Sequence, residues 1–220
     1  MKLKSELISF VLKFLLYALV AMAAVDLICS SVYMIDADLF IKYFYSIYGF
    51  VDIVSVVLYY IIMTIYLIWV YRVHMDLNRL YLQYPRTPGS ALACMMIPFY
   101  SFYGLPSTYQ LIGSHYQRTA ALRKTGQWIQ GLSIPLLIFM IATNILNRVV
   151  ARADEVSGAL LFASSFISLI LYVIFLTLCI LVFKGLSSTH MRDADGSNVK
   201  VMDTMFEEPS NSEAAPIFLG

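Results

Sequence analysis

Apolar residues are concentrated in four long blocks that alternate with polar segments. The blocks cover residues 7–28, 47–71, 129–149 and 158–183. Each is close to the roughly 20 apolar residues that a helix needs to cross a bilayer core about 30 Å thick. The pattern predicts an all-α membrane protein in which four transmembrane helices and their connections form one membrane domain, residues 1–184.

The first block has an alternative interpretation as a cleavable signal peptide. Ala21-Met22-Ala23 has the small-residue form of a cleavage site. However, Lys13 interrupts the apolar stretch that a signal peptide needs, and apolar residues continue past Ala23. These two features favour a retained first span.

The segment between the second and third blocks, residues 72–128, has a mixed pattern. Apolar residues recur at helical spacing at its start, and these are Val73, Leu77, Leu80 and Tyr84. They predict that the second helix continues to Tyr84, where Pro85 ends it. Residues 86–89 contain proline and glycine and are typical of a turn.

The apolar run at residues 91–105 is too short to cross a bilayer, and Pro98 lies near its middle. Runs of this length are more often interfacial or re-entrant than spanning. An amphipathic helix is then predicted from Pro106 to Lys124, with Gly126 as its C-cap. Its apolar face consists of Leu105, Tyr109, Ile112, Tyr116 and Ala120.

The remaining segments are polar. Residues 30–45 are predicted to form a short acidic loop that carries Asp36 and Asp38, and residues 148–157 a second short loop. Residues 185–220 contain six acidic and two basic residues and are predicted to be a disordered cytoplasmic tail.

The composition agrees with a membrane location. The chain has 220 residues, of which 60% are hydrophobic and 13% charged, against about 45–50% and about 25% in ordinary soluble domains. A net charge of +1 gives no indication of nucleic-acid binding. Cys29, Cys94 and Cys179 are odd in number and far apart, so neither a disulfide framework nor a metal site is predicted.

The basic residues are divided unequally between the two sides that four spans would create. One side receives Lys2, Lys4, Arg72, Arg79, Arg86, Arg118, Arg123, Lys124, Lys184, Arg192 and Lys200, and the other receives Lys42, Arg148 and Arg152. Because positive loops stay inside, both termini and residues 72–128 are predicted to be cytoplasmic. Trp69 and Trp128 then fall at the inner interface. A fifth span at residues 91–105 would largely remove this bias.

Residues in the region 69–116 recur in the order of a known signature. They are Trp69, Tyr71, Arg72, His74, Asp76 and Leu77, then Thr87, Pro88, Gly89 and Ala91, then Ile97-Pro98, and then Pro106. With them the chain resembles the bacterial membrane-protein family called domain of unknown function 4328. The resemblance implies several spans around this region and a bacterial cytoplasmic membrane, and it implies no activity. Asp76 replaces an amide of the family pattern, and Met95-Met96 replaces aromatic residues.

A first candidate site lies just past the second span, at the predicted inner surface. Its members are Trp69, Arg72, His74, Asp76, Arg79, Pro88, Gly89, Pro98 and Pro106. Asp76 has helical spacing to both Arg72 and Arg79. The set suits a lipid headgroup or a protein partner, and the alternative is a solvated helix end. His74 and His115 would meet if the amphipathic helix folds back, but two histidines are too few to predict a metal or haem cofactor.

A second candidate site consists of polar residues in the outer portions of the four spans. Its members are Asp26, Asp52, Ser55, Asn144, Asn147, Arg148, Ser165 and Ser168. Arg148 is the expected counter-charge for Asp52 or Asp26, because acids at membrane depth face the bundle interior and need compensation. The set suits an ion or solute pocket. The favoured alternative is a hydrogen-bond network that holds helices together.

No motif for hydrolysis, metal catalysis or phosphate binding occurs in the sequence. The sequence therefore predicts a non-enzymatic accessory or interaction protein of the bacterial cytoplasmic membrane, with the bilayer and a protein partner or a second copy as its contacts. The alternative is a small transporter or channel that uses the outer polar residues around Asp52 and Arg148.

Overall fold

The computed structural model describes residues 5–81, 84–153 and 156–206, and within these it leaves the side chains of 98–101 and 192–206 undescribed. The described residues are almost entirely helical and contain no strand. The helices are α1 (Glu6–Ile35), α2 (Ala37–Leu39), α3 (Tyr45–Leu80), α4 (Pro88–Met96), α5 (Pro98–Gln117), α6 (Arg123–Val150) and α7 (Gly158–Phe206).

Four of these elements are long and apolar enough to cross a membrane. They are α1, α6, the apolar part of α7 and the continuous helical stretch Ala37–Leu80, which ends with α3. Their mean hydropathies range from 1.9 to 3.0. Each contains one of the four apolar blocks of the sequence. The prediction of an all-α protein with four membrane-crossing helices is confirmed at this level.

The predicted loop at residues 30–45 is wrong, because the chain is helical through nearly all of it. α1 continues to Ile35, and only Asp36 has an extended backbone. The Asp36 carboxylate accepts a hydrogen bond from the Leu39 amide at 3.0 Å and so starts the next helical turn. The rings of Tyr33 and Tyr48 pack edge-on against Phe40, so aromatic contacts join the end of α1 to the start of α3.

α3 ends before the predicted boundary at Tyr84. The last helical residue is Leu80, and Tyr81 has an extended backbone with φ −121° and ψ 110°. Tyr84 is buried, as expected for the apolar face, but it reaches the core from the connection that follows the helix. Residues 82 and 83 lie outside the described part of the chain.

The central apolar run is divided at Ile97 into two antiparallel helices, which we call the α4–α5 hairpin. The Thr87 hydroxyl accepts from the Ser90 amide at 3.2 Å and caps α4, so residues 86–89 are a helix start and not a free turn. Pro88 and Pro98 open the two helices, where a missing amide hydrogen costs nothing.

α5 begins well before the predicted start at Pro106, which lies inside the helix. Just after Pro106, the hydroxyls of Ser107 and Thr108 donate to the Gly104 carbonyl at 3.1 and 2.7 Å. The predicted apolar face is largely confirmed. Leu105, Tyr109, Ile112 and Tyr116 are buried, whereas Ala120 is exposed beyond the end of α5.

The long helices are packed in the order α3, α1, α7, α6, and the α4–α5 hairpin completes the arrangement. α4 packs against α3, and α5 packs along α6. A single apolar core runs through all of these elements and includes Leu12, Trp69, Ala91, Tyr109, Ile129 and Leu178. We call the end of the bundle where α3 stops and α6 begins the hairpin end.

α5 and α6 approach each other most closely where two glycines meet. A Cβ atom added to Gly126 would lie 2.5 Å from the Gly113 carbonyl oxygen and 2.9 Å from the Gln117 amide nitrogen. Only glycine permits this distance between the two backbones. The prediction that Gly126 caps a preceding helix is therefore wrong, because it lies inside α6 and forms the crossing point.

α7 continues as a helix to Phe206, although a disordered tail was predicted from residue 185. Gly185 lies directly against the ring of Tyr116, and Leu186 is fully buried, so the bundle extends past the predicted end of the span. Residues 207–220 of the predicted tail lie outside the described residues.

Replacement of Gly126 by alanine should destabilise the fold, because the new methyl group would collide with backbone atoms of α5. We expect a loss of about 1–3 kcal/mol, measured as a lower midpoint of thermal unfolding in detergent. Gly131→Ala is the matched control, since a Cβ at Gly131 in the same helix would meet nothing within 4 Å. Equal midpoints for the two variants would contradict the described crossing.

Candidate functional site

Trp69 is part of the core. Its side chain is 1% exposed, and the indole N–H donates to the Ser9 hydroxyl at 2.8 Å. Its ring packs near Tyr66, with centroids 5.6 Å apart. The ring of Trp69 is therefore enclosed by the bundle, whereas Trp128 is 66% exposed; the inner-interface depth of both residues stays a prediction. The indole of Trp69 links α3 to α1.

Asp76 makes a second link between the same two helices. Its carboxylate is 2% exposed and accepts a hydrogen bond from the Ser5 amide at 2.9 Å. Ser5 precedes α1, so the acid stabilises an amide that the helix itself does not satisfy. Sequence spacing pointed to arginine partners on the same helix, and it gave no indication of this contact with the first residues of the chain.

His74 and His115 are brought together, but through an intervening tyrosine ring. The Tyr84 ring lies 5.7 Å from the His74 ring and 4.9 Å from the His115 ring, and Tyr81 packs against His115 at 5.7 Å. We call these four side chains the His–Tyr cluster. Each imidazole uses Nδ1 to donate to a carbonyl of its own helix, at 2.9 Å in both cases. Among the residues described, no group of three or more His, Cys, Asp or Glu side chains is arranged to hold a metal ion.

Three polar atoms of the His–Tyr cluster are buried without a hydrogen-bond partner among the described residues. They are His74 Nε2 and the hydroxyls of Tyr81 and Tyr84. Burial raises the pKa of Tyr84, and the nearby Arg86 opposes this shift only in part. The Tyr84 hydroxyl therefore keeps its proton at neutral pH. A buried donor of this kind costs about 1–3 kcal/mol when it has no acceptor.

Arg86 joins the base of the α4–α5 hairpin to α3. Its guanidinium donates to the hydroxyls of Thr108 and Ser107 on α5, and its carbonyl accepts from the Asn78 side chain of α3 at 2.9 Å. It forms no ion pair with the residues that the structure describes. The sequence assigned Arg86 only a topological charge. A signal for its neutral partners was the absence of Asp and Glu from residues 77–153, which leaves only neutral acceptors in this part of the sequence.

The other members of the first candidate site, just past the second span, do not together form an open surface. Pro106 is buried, Arg72 and Pro88 are half-buried, and Arg79 and Gly89 are exposed. The side chain of Pro98 lies outside the described part. The structure therefore places Trp69, His74, Asp76 and Pro106 inside the fold, where they hold the hairpin end together.

Tyr109 and Tyr116, which helical spacing predicts only as apolar positions, also make buried polar contacts. The hydroxyls of Tyr66 and Tyr109 share a hydrogen bond of 2.8 Å between α3 and α5, and the Tyr116 hydroxyl donates to the Val182 carbonyl of α7 at 2.9 Å. Through them α5 is fixed to two of the long helices. Their helical spacing predicted burial but not these partners.

Part of the outer candidate site does assemble. The hydroxyls of Ser30 and Ser165 share a hydrogen bond of 2.8 Å between α1 and α7, and Ser30 lies 2.9 Å from the Asp26 carbonyl. The Asp26 side chain interacts with Ser165 and lies within electrostatic range of Asp52 on α3. Asp52 itself is exposed, and the half-buried Ser55 hydroxyl has no partner among the described residues.

The α6 members of that site do not join it. Asn144, Asn147 and Arg148 are exposed, and the Asn144 amide donates to the Met140 carbonyl of its own helix at 2.8 Å. Within the described residues Arg148 forms no ion pair, so the expected pairing with Asp26 or Asp52 is wrong. Ser168 is half-buried. These residues face away because α6 turns its other side toward α5 and α7.

Comparisons with known proteins give no further indication of the site's role. No protein-family model, no curated protein and no solved structure matches this chain. The resemblance over residues 69–116 is therefore carried by the signature residues alone.

Two conservative tyrosine substitutions should differ in their effect on stability. Tyr66→Phe leaves the buried Tyr109 hydroxyl without its partner and should lower the free energy of unfolding by about 1–3 kcal/mol. Tyr84→Phe removes a hydroxyl that has no partner among the described residues and should leave the unfolding midpoint unchanged or raise it. Thermal unfolding in detergent measures both. If Tyr84→Phe is as destabilising as Tyr66→Phe, the Tyr84 hydroxyl has an acceptor outside the described residues.

Proposed function

We propose that this chain is a non-enzymatic interaction protein of the bacterial cytoplasmic membrane, with both termini and residues 72–128 on the cytoplasmic side. Four helices of sufficient length and hydropathy support the membrane location. The unequal division of basic residues supports the orientation. The resemblance to the domain of unknown function 4328 family supports a bacterial membrane.

In this proposal the α4–α5 hairpin is re-entrant and dips into the inner leaflet. Met96, Ile97 and Tyr103 at its tip are 63%, 54% and 66% exposed, which suits contact with lipid. α4 has nine residues and is about 14 Å long, close to half of a bilayer core of about 30 Å. A hairpin of this depth keeps Arg86 and Arg118 on the same side of the membrane.

The length of α7 is the observation that carries the proposed interaction role. Its 49 residues correspond to a rod of about 74 Å, more than twice the thickness of a bilayer core. Leu186 is the last fully buried apolar side chain among those described, which end at Met191, and helix continues from there to Phe206. A helical arm of this kind gains its stability from packing rather than from propensity alone, so we infer that a protein partner packs against residues 187–206.

The use of the polar side chains supports a binding role over a catalytic one. The indole of Trp69, the carboxylate of Asp76 and the guanidinium of Arg86 all serve contacts between helices. Such contacts fix the shape of the hairpin end. They would make it a rigid platform from which the α7 arm projects.

Cysteine labelling tests the orientation and the re-entrant hairpin. In a background without the native cysteines, Ala121→Cys should resist a membrane-impermeant thiol reagent added to intact cells and should react after permeabilisation. Asp38→Cys is the control, because this exposed position lies at the opposite end of the bundle and should react from outside. External labelling of Ala121→Cys would contradict the topology and make the α4–α5 hairpin a complete crossing.

Site-specific photo-crosslinking tests the partner surface. A photoreactive residue at Met191, which is 64% exposed near the base of the arm, should yield a discrete protein adduct in the native membrane. The same residue at Phe166, which is exposed on the opposite half of α7, should not. An adduct of twice the chain mass would identify a second copy as the partner. Recovery of only the uncrosslinked chain from both positions would contradict the interaction role.

A further inference from the structure

One face of α6 is apolar and uncovered over most of its length. Trp128, Ile134, Ile138 and Ile145 are 66%, 59%, 59% and 57% exposed and follow one side of the helix. The opposite side, with Gly126, Ile129 and Ser133, is buried against α5 and the core. The exposed side thus forms an apolar stripe that begins at Trp128 and runs away from the hairpin end.

The stripe begins directly above a group of positive charges that form no ion pair with the residues the structure describes. Arg123 and Lys124 are exposed in the first turn of α6, and Lys124 is one helical turn below Trp128 on the same face. Arg118 is also exposed, and the preceding residue, Gln117, lies against Gly126 of α6. No Asp or Glu occurs between residues 77 and 153, so no acidic residue lies close to these cations along the chain.

A shallow gap interrupts the stripe just beyond the tryptophan. Gly131 is exposed, and a Cβ atom added there would meet nothing within 4 Å. The indole of Trp128 lies on one side of this gap and Ile134 on the other. From Trp128 to Ile138 the helix rises about 15 Å, which is half of the bilayer core and therefore the depth of one leaflet.

We propose that this face of α6 binds an anionic phospholipid of the inner leaflet. Arg118, Arg123 and Lys124 contact the phosphate of its headgroup, Trp128 lies at the level of the glycerol backbone, and an acyl chain lies along Gly131 to Ile138. The occupant is a lipid because an apolar stripe one leaflet deep, with cations at its base, matches both parts of that molecule. The inference rests on the proposed orientation, and it does not depend on a protein partner.

Tryptophan fluorescence provides a direct test, since the chain has only two tryptophans and Trp69 is buried. The full chain is reconstituted in phosphatidylcholine vesicles that contain a small, equal fraction of either brominated phosphatidylglycerol or brominated phosphatidylcholine. The signal of a Trp128→Phe variant is subtracted to isolate Trp128. We expect stronger quenching by the brominated anionic lipid, with an excess that falls when salt is raised from 0.1 to 0.5 M (roughly a halving of the screening length).

Charge variants assign the effect to this surface. Each cation at a membrane surface contributes about fivefold to the local affinity for anionic lipid, so Arg123→Gln should reduce the preference about fivefold and Arg123→Gln/Lys124→Gln about 25-fold, which leaves only the contribution of Arg118. Arg79→Gln, an exposed cation at the same end on α3, should leave it unchanged. Equal quenching of the wild-type chain by the two brominated lipids would overturn the proposal, and this comparison does not require any charge variant to fold. If Arg79→Gln loses the preference as well, the preference is a general effect of net charge and the proposed site is wrong. Because both leaflets carry the probe, the result does not depend on orientation or on the crosslinking partner.

Discussion

The close contact between α5 and α6 at Gly113 and Gly126 is the constraint on which the arrangement of the hairpin end depends. With the two backbones in direct contact, α5 lies deep enough in the bundle for Tyr109 to reach Tyr66 on α3 and for Tyr116 to reach Val182 on α7. Dispersion and packing are the main sources of helix association once the surroundings are apolar. A side chain at either glycine would separate the backbones and remove several of these contacts together.

The polar groups of the hairpin end are best understood as part of that packing. In surroundings without water an unsatisfied donor is expensive, and most of the polar side chains here have partners on a different helix. The His–Tyr cluster departs from this rule with three buried atoms that lack partners in the described chain. It also lies at the point where α3, the connection before α4 and the end of α5 meet. Packing between helices therefore accounts for the polar atoms of this cluster less well than for the other polar groups of the hairpin end.

Sequence periodicity predicted which residues of α5 are buried, and the four helical positions from Leu105 to Tyr116 confirm it. It did not predict where α5 begins, because a proline is read as a helix boundary although its missing amide hydrogen can be tolerated within a helix whose neighbours compensate. Gly126 was misread for a related reason. A glycine after basic residues has the local pattern of a C-cap, and only the position of α5 shows that its role is close approach. The second candidate site shows the same limit of local pattern. Arg148 has the charge expected of a counter-ion, but in the fold it faces away from Asp26 and Asp52.

The sequence by itself determined that the chain is helical, that four segments are long and apolar enough to cross a membrane, and that the middle segment is not one of them. These properties depend on the length, hydropathy and spacing of residues that are neighbours along the chain. Tertiary structure alone decided that Trp69, His74 and Asp76 are internal, that Arg86 holds the α4–α5 hairpin to α3, and that Trp128 is left uncovered. Those outcomes depend on which helices come to lie side by side, and they involve residues such as Ser5, Ser9 and Thr108 that are distant in sequence from the groups they bind.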